Sequence, residues 1–338
     1  MPRYTKAEAR EWAREHMRGT ANTTIASYSS DLRTLNEQGI RHDIRRAAQL
    51  GFKGTLICSE TALSLEEYEQ FTGWAADEAD GLLHIIFQAA FNTLEENIEA
   101  ARRASAAGAD YALLSYPANF YPTDEGEIYE YTKAFCDAVD LGVMLFPVPL
   151  WNFGRLHPAD IAPDMLEALV KDVPNVIAIK AEGAMPLTAG LLDVHRRLSD
   201  TVVISCPLEK EVIPLMSYVP FQYSGTSNFE YYGTSMPRMF EAARDGDMDT
   251  AMDIYWSIMP ARNANAAVGT YVPQTGLINR MLWKYQGWLN GMNGGPLRQP
   301  TMKASDRQME QLRQGVRASG IADAAEPNSA FFVGRNPA

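Results

Sequence analysis

The chain has 338 residues, of which 46% are hydrophobic and 21% are charged, and this composition is ordinary for a globular protein. Its formal net charge of −12 disfavours nucleic acid and anionic membranes as partners. The three cysteines are far apart and form no CxxC pair, which argues against a disulfide framework or a zinc site. The sequence shows neither the apolar core of a signal peptide nor a membrane-spanning apolar run, so we expect a cytoplasmic protein.

Short apolar runs recur along the chain at intervals of roughly 25–35 residues, and an amphipathic stretch follows each of them. Strands that alternate with helices favour a parallel sheet that is buried on both faces. Because there are eight repeats and no GxGxxG motif follows the first, we expect an α/β fold of the (β/α)8 TIM barrel type. The eight predicted strands occupy residues 23–29, 53–59, 83–89, 111–117, 142–148, 176–182, 202–207 and 222–227.

Capping signals predict where several helices begin. Ser64 and Glu67 have the spacing of a capping box, so a helix is expected to follow Ser64. Thr93 opens the next helix, which we expect to end at Gly108 because glycine favours the left-handed conformation at a helix end. Pro158 stands where the helix after the fifth strand is expected to begin.

The pattern divides the chain into three parts. We predict an N-terminal helix over residues 1–20, the barrel over 21–245, and a C-terminal helical extension with a tail over 246–338. The extension contains more helix than a barrel needs. We expect it to form a small satellite core or a contact within an oligomer.

Lys180 ends the sixth predicted strand, which is otherwise apolar, and reactive groups in parallel barrels lie at the carboxyl ends of strands. One interpretation is structural, because the side chain could reach the rim or pair with Glu60 or Glu182. The other is catalytic, because a desolvated lysine has a lowered pKa and an amine free to form an imine. Position alone leaves both interpretations open.

Several segments together resemble a known family. They are NVIAIKAE, SETALSLEEYEQF, ENIEAARRASAAGADYALLSYP, PTDEGEIYEYTKAFCDA, ARDGDMDTAMDIYWSIMPA and PLRQP. Their order and spacing over residues 37–318 are similar to those of the dihydrodipicolinate synthase / N-acetylneuraminate lyase family. The resemblance implies a class I aldolase in which Lys180 forms a Schiff base with the substrate. It also implies a homo-oligomer, either a tetramer or a dimer.

The sequence departs from the family pattern after the second and fifth strands. Of the family's Thr-Thr-Gly-Glu-like motif, the turn that contains Cys58, Ser59 and Glu60 keeps the glutamate at Glu60 and, in part, a hydroxyl at Ser59. Phe146 stands where the family has a proton-relaying tyrosine, and the synthase's arginine is absent from the stretch around Trp151. We expect these five residues to contact the substrate. The loss of the arginine argues against aspartate semialdehyde and favours a bulky apolar or aromatic acceptor.

The missing tyrosine leaves proton transfer without an assigned residue. Tyr116 and Tyr121, in the loop after the fourth strand, are candidates for acid–base catalysis, although aromatic packing is the commoner role of a tyrosine. Glu60, Ser59 and the substrate's own carboxylate are further candidates. Ser224 and Asn228 match the family's Ser-x-x-x-Asn spacing after the eighth strand and are expected to line the pocket.

Two functions follow from these features. The first is a Schiff-base-forming lyase (an aldolase, hydratase-aldolase or dehydratase) that acts on a 2-keto acid or a related carbonyl compound and is not a true dihydrodipicolinate synthase. The alternative is a barrel that has lost aldolase chemistry and serves as a ligand-binding or regulatory protein. We expect no metal or other cofactor, because an imine is itself an electron sink. The expected partner is a small carbonyl compound.

Overall fold

The computed structural model describes residues 2–182, 187–269 and 278–338. Within them, eight parallel strands are hydrogen-bonded in the order β7-β6-β5-β4-β3-β2-β1-β8, which confirms the predicted TIM barrel. The strands are β1 (Gly19–Thr24), β2 (Gly54–Ile57), β3 (His84–Ala89), β4 (Tyr111–Leu114), β5 (Gly142–Leu145), β6 (Val176–Lys180), β7 (Val203–Ser205) and β8 (Tyr223–Ser224).

The helices pack around the sheet, and α2 to α9 follow β1 to β8 in turn. In the described ranges no helix has the length and apolar character needed to cross a membrane. The helices are α1 (Ala9–His16), α2 (Glu37–Leu50), α3 (Leu65–Ala79), α4 (Leu94–Ala107), α5 (Glu125–Ala138), α6 (Pro163–Asp172), α7 (Leu191–Leu198), α8 (Glu209–Leu215), α9 (Ser235–Arg244), α10 (Met248–Ser257), α11 (Met259–Val268), α12 (Arg280–Leu289) and α13 (Asp306–Ala318).

The first strand lies earlier in the chain than predicted. The prediction placed it over residues 23–29, whereas β1 covers Gly19–Thr24. This strand reads GTANTT, and its residues are all buried although most of them are polar. A search for apolar runs therefore selects the more hydrophobic segment that follows the strand.

The predicted helix starts are confirmed at two positions and wrong at a third. Ser64 and Glu67 form the capping box of α3, with each side chain accepting a hydrogen bond from the other residue's backbone N–H. Thr93 caps α4, and the glycine that ends this helix has a φ of 114°. Pro158 does not open α6, which begins instead at Pro163. Both prolines suit a first helical turn, and Pro158 lies in the turn that precedes the helix.

Serine side chains complete the barrel between β7 and β8. Ser205 Oγ donates to the carbonyl oxygen of Gly225 at 3.0 Å and accepts from the N–H of Gly225 at 3.1 Å. Ser224 Oγ donates to the carbonyl oxygen of Cys206 at 2.8 Å. All these groups are buried, so water does not compete for the bonds. Ser224 therefore closes the barrel, and it is not among the residues that line the cavity described below.

Helix α1 covers the amino-terminal end of the barrel. The Trp12 ring packs against His84 and Tyr111, with centroid separations of 5.3 and 6.1 Å. Inward-facing residues of the strands, including Ile86 and Ile177, continue this core along the barrel axis. The barrel interior is therefore filled at this end, and the cavity that contains Lys180 lies at the carboxyl ends of the strands.

The C-terminal extension is continuous with the barrel's own core. All ten residues of α12 are buried. Apolar residues of α12 and α13, such as Leu282 and Leu312, belong to the same hydrophobic cluster as the barrel helices. The extension is therefore not a separate satellite core, and α12 also borders the candidate site.

Candidate active site

A cavity of about 590 Å³ opens at the carboxyl ends of the strands. Most of its wall comes from residues at or just after the strand ends, and the rest comes from the helical extension. The barrel contributes Thr23, Leu56, Glu60, Gln88, Leu113, Ser115, Phe146, Lys180, Glu182 and Thr226, and the extension contributes Asn279, Arg280, Leu282, Trp283 and Gln286.

Lys180 ends β6 inside this cavity, and only 4% of its surface is exposed. Its Nζ lies 3.6 Å from Oε2 of Glu182 and 3.6 Å from the centroid of the Phe146 ring. Burial lowers the pKa of Lys180 to about 8, although the Glu182 carboxylate opposes this effect. A much larger fraction of this amine is therefore neutral near physiological pH than for an exposed lysine.

A second charged group occupies the opposite side of the cavity. Glu60, which follows β2, forms an ion pair with Nη2 of Arg280 at the start of α12. The Glu60 carboxylate also accepts a hydrogen bond from Nε2 of Gln88 at 3.2 Å. Gln88 in turn accepts from the N–H of Ser59 at 3.0 Å. This chain of contacts fixes the Glu60 carboxylate against the β2 and β3 ends.

Phe146 and Trp151 form an aromatic wall beside Lys180. Their ring centroids are 5.8 Å apart and their planes are nearly perpendicular, an arrangement that aromatic rings favour. The indole N–H of Trp151 donates to the carbonyl oxygen of Phe146 at 2.8 Å, which holds the wall in place. Phe146 also places a ring face against the Lys180 ammonium, which stabilises its charged form.

Five of the ten predicted site residues line the cavity, namely Lys180, Glu60, Phe146, Trp151 and Asn228. Cys58 and Ser59 do not, because Cys58 is fully buried behind the wall and Ser59 turns its backbone N–H to Gln88. Burial raises the pKa of the Cys58 thiol above its usual value. These two residues therefore support the wall from behind.

Neither tyrosine that the sequence offers for acid–base catalysis is among the residues that line this cavity. The Tyr116 hydroxyl is buried and hydrogen-bonded to Oγ1 of Thr132 at 2.6 Å, and burial raises its pKa far above the usual value. Tyr121 is 67% exposed, and its ring stacks on the Arg155 guanidinium at 3.9 Å. Tyr116 is thus a packing residue, and Tyr121 lies on the surface of this chain.

The sequence interpretation missed Arg280 and Trp283, whose side chains are close together. The Arg280 guanidinium lies 4.4 Å from the centroid of the Trp283 ring. Arg280, Trp283 and Gln286 occur at intervals of three residues, so they share one face of α12. One signal in the sequence could have revealed them. A helix that is otherwise buried carries a charged residue, a polar residue and a tryptophan on the same face.

Within residues 2–182, 187–269 and 278–338, no group of three histidine, cysteine or carboxylate side chains is placed to hold a metal ion. The titratable groups that these ranges bring to the cavity are instead one amine, one guanidinium, two carboxylates and the Tyr231 phenol. Together with the barrel, they define an enzyme of the aldolase-type lyase class.

Comparisons with known proteins identify the family. Residues 17–319 match the model of the Dihydrodipicolinate synthetase family, and the chain belongs to that family. The 4-hydroxy-tetrahydrodipicolinate synthase of Psychrobacter sp. is 30% identical over 263 residues, which cover 77% of this chain and 80% of the relative. The 4-hydroxy-tetrahydrodipicolinate synthase of Methanospirillum hungatei is 28% identical over 291 residues, which cover 83% of this chain and 92% of the relative.

Solved structures agree on the fold. Dihydrodipicolinate synthase from Aquifex aeolicus superposes with a TM-score of 0.76 at 19% identity, covering 90% of this chain and 99% of the other. N-acetylneuraminate lyase from Fusobacterium nucleatum gives a TM-score of 0.72 at 20% identity, covering 89% and 98%. The predicted family and the predicted lyase class are confirmed, and the low identities fit a divergent member.

Proposed function

We propose that the protein is a Schiff-base-forming lyase in which Nζ of Lys180 attacks the carbonyl carbon of a 2-keto acid such as pyruvate. The observation that supports this most is the lysine itself: it is buried, its pKa is lowered to about 8, and it faces a cavity of about 590 Å³. A neutral amine is the nucleophilic form of lysine, and this environment supplies it.

The reaction begins when the neutral amine adds to the carbonyl carbon and forms a carbinolamine. Acid-assisted loss of water then gives a protonated imine, which accepts the electron pair of a carbon–hydrogen or carbon–carbon bond that breaks at the adjacent carbon and so becomes an enamine. In a dehydration the enamine then expels the hydroxyl group of the next carbon as water, and the oxygen keeps the electron pair of the broken carbon–oxygen bond. Each step moves a proton, so a group near Nζ must take and return it.

Glu182 is the group that we propose for these proton transfers. Its carboxylate lies 3.6 Å from Nζ of Lys180 and lines the same cavity. The family tyrosine is replaced by Phe146, and Tyr116 and Tyr121 are not part of the cavity wall. Tyr231 does line the cavity, but burial raises the pKa of its phenol well above the usual value. Glu182 is therefore the acid–base group that we assign, because its carboxylate lies against Nζ.

The cavity wall favours a substrate larger than pyruvate alone. Apolar and aromatic surface dominates the wall around Lys180, supplied by Leu56, Leu113, Phe146, Leu150 and Trp151. The strand-five arginine of the synthase has no counterpart in this stretch of the sequence. We therefore propose that the protein joins or separates a 2-keto acid and a second, bulkier carbonyl compound, in a reaction different from that of the synthase.

Reductive trapping tests this function. The protein is incubated with borohydride and a panel of 2-keto acids that includes pyruvate, and the modified residue is located by peptide mass spectrometry. We expect at least one acid to add its mass at Lys180 in the folded protein and to add none in Lys180→Ala. If no acid modifies Lys180, the lyase proposal is wrong.

The second candidate function is a ligand-binding or regulatory barrel, which the replacement of the family tyrosine by Phe146 favours. Thermal stabilisation by keto acids without any turnover would support it. Aldol cleavage that disappears in Lys180→Ala would contradict it.

We also propose that the protein is a cytoplasmic homo-oligomer, because the family usually assembles in this way. A solved relative described as the first monomeric dihydrodipicolinate synthase variant shows that assembly differs between relatives. Light scattering coupled to size-exclusion chromatography measures the molar mass. A mass near 37.5 kDa, which is that of one chain, would contradict the proposal.

A further inference from the structure

The cavity contains a buried guanidinium that the imine chemistry of Lys180 does not use. Arg280 is 7% exposed, and its Nη2 is paired with Glu60. Its Nη1 is also buried but finds no hydrogen-bond acceptor among the residues that the structure describes. A buried donor without an acceptor is costly. Because Arg280 lines the cavity, an acceptor that binds there can remove this cost.

Arg280 lies across the cavity from Lys180. Its partner Glu60 follows β2, and Glu60 in turn contacts Gln88 on β3. Lys180 ends β6, which is four strands away from β2 in the eight-stranded sheet and therefore on the opposite side of the barrel. A molecule attached to Nζ of Lys180 and extending over the barrel mouth thus directs its far end towards Arg280.

The guanidinium is held in place before any ligand arrives. It packs against the Trp283 ring at 4.4 Å, and the indole N–H of Trp283 donates to the buried carboxyl group of Glu230. Glu60 is restrained as well, because it accepts from Gln88. A binding group whose orientation is already fixed loses little conformational entropy when it binds.

We infer that Arg280 binds a carboxylate at the end of the substrate remote from the imine carbon, so the preferred substrates are 2-keto acids that carry a second carboxylate. This inference rests on the proposed imine at Lys180. A guanidinium matches a carboxylate in shape as well as in charge, which makes it the side chain best suited to this task. The arginine that the sequence lacks after β5 is thus replaced by one from α12, at a different place in the cavity.

The experiment compares two keto acids, 2-oxoglutarate and its 5-methyl ester, which lacks the second negative charge but keeps a free ketone. Borohydride trapping at Lys180 is measured over a range of concentrations of each, with pyruvate as a third ligand. In the natural protein we expect the acid to reach half-saturation at a concentration roughly 10–100-fold lower than the ester, the range for a charge-assisted hydrogen bond. The ratio of the two half-saturation concentrations should fall to about one in Arg280→Met. It should be intermediate in Arg280→Lys, which keeps a positive charge but not the guanidinium.

Two further variants separate recognition from folding. Arg155→Met removes an exposed guanidinium outside the cavity, so the ratio should stay as in the natural protein. Glu60→Gln removes the carboxylate that competes for Arg280, so the ratio should increase. Glu60→Gln thus tests the inference even if Arg280→Met does not fold.

The outcomes distinguish the inference from the function on which it rests. If pyruvate is trapped but the natural protein does not prefer 2-oxoglutarate over its 5-methyl ester, the inference is wrong and the proposed lyase stands. If Arg280→Met weakens the trapping of pyruvate as much as that of 2-oxoglutarate, Arg280 does not act at the remote end and the inference is again wrong. If no keto acid is trapped by the natural protein, the proposed function fails and the inference fails with it.

Discussion

Lys180 and Lys284 are both buried lysines, with 4% and 5% of their surfaces exposed, yet their surroundings differ. Burial lowers the pKa of each to about 8. Lys180 faces a cavity of about 590 Å³, whereas Lys284 borders a void of about 20 Å³, which holds about one water molecule. A lowered pKa therefore makes both amines partly neutral, but only the amine of Lys180 faces a cavity large enough to admit a carbonyl compound.

The surroundings of Lys284 are those of a polar cluster inside the core. Its Nζ donates to the carbonyl oxygen of Ala26 at 2.8 Å, and it lies near the buried Asp43. Burial raises the pKa of Asp43 to about 6 and that of Glu230, which borders the same void, to about 8. Hydrogen bonds of this cluster connect α12 to the rest of the barrel, and the proposed reaction does not involve these groups.

The largest expected effect separates the two lysines directly. Lys180→Ala should abolish keto acid trapping and reduce turnover at least about 1000-fold, because the nucleophile is removed. Lys284→Met should still form the adduct at Lys180. It should lower the melting temperature, because the bond to Ala26 is lost and Asp43 loses one of the cations near it. An adduct found at Lys284 would break the distinction between the two sites.

A change of pH tests the lysine in the cavity more finely. Only the neutral amine attacks, so the rate of trapping should rise with pH and level off above about 8, the pKa of Lys180. Glu182 raises this pKa, so Glu182→Gln should move the midpoint of the pH profile to a lower value. Asp43→Asn is the matched control, since Asp43 lies near Lys284 instead. A midpoint that moves in Asp43→Asn but stays in Glu182→Gln would contradict the assignment.

The smallest expected effect concerns stability in the polar cluster. The pKa of Glu230 is about 8 in the folded protein and 4.5 for a free glutamate, so ionisation favours the unfolded chain increasingly between these two pH values. Glu230→Gln removes this penalty and keeps an acceptor for Trp283. We expect the variant to gain on the order of 2 °C or more in melting temperature at about pH 8, and much less at about pH 5. Equal gains at both pH values would argue against a buried, neutral Glu230.

Local patterns were enough to predict the barrel and its lysine. Seven strands were recognised by apolar runs that fall at or around their observed positions, and only the polar β1 was displaced towards a more hydrophobic neighbour. Lys180 was recognisable because a lysine that ends an apolar strand is unusual. The packing role of Tyr116 could not be recognised from the sequence, because its hydrogen bond to Thr132 depends on how α5 packs against the barrel.

Arg280 shows the limit of prediction from a single sequence. Its contact with Glu60 joins residues that are 220 positions apart in the chain, and local sequence patterns cannot predict a contact between residues so far apart. The sequence predicts that the segment around Arg280 is helical, but it gives no reason to place this helix at the site. The packing of α12 against the barrel mouth decides that its first residue enters the cavity.

The two ends of the cavity are carried by separate parts of the chain, with Lys180 on a barrel strand and Arg280 on a helix added after the barrel. Changes in α12 can therefore alter which molecules are accepted without altering the strand that carries the reacting amine. In a family built on one barrel, such a division lets new substrates evolve while the reaction itself is inherited. It also makes α12 the natural segment to exchange between relatives when a lyase of different selectivity is wanted.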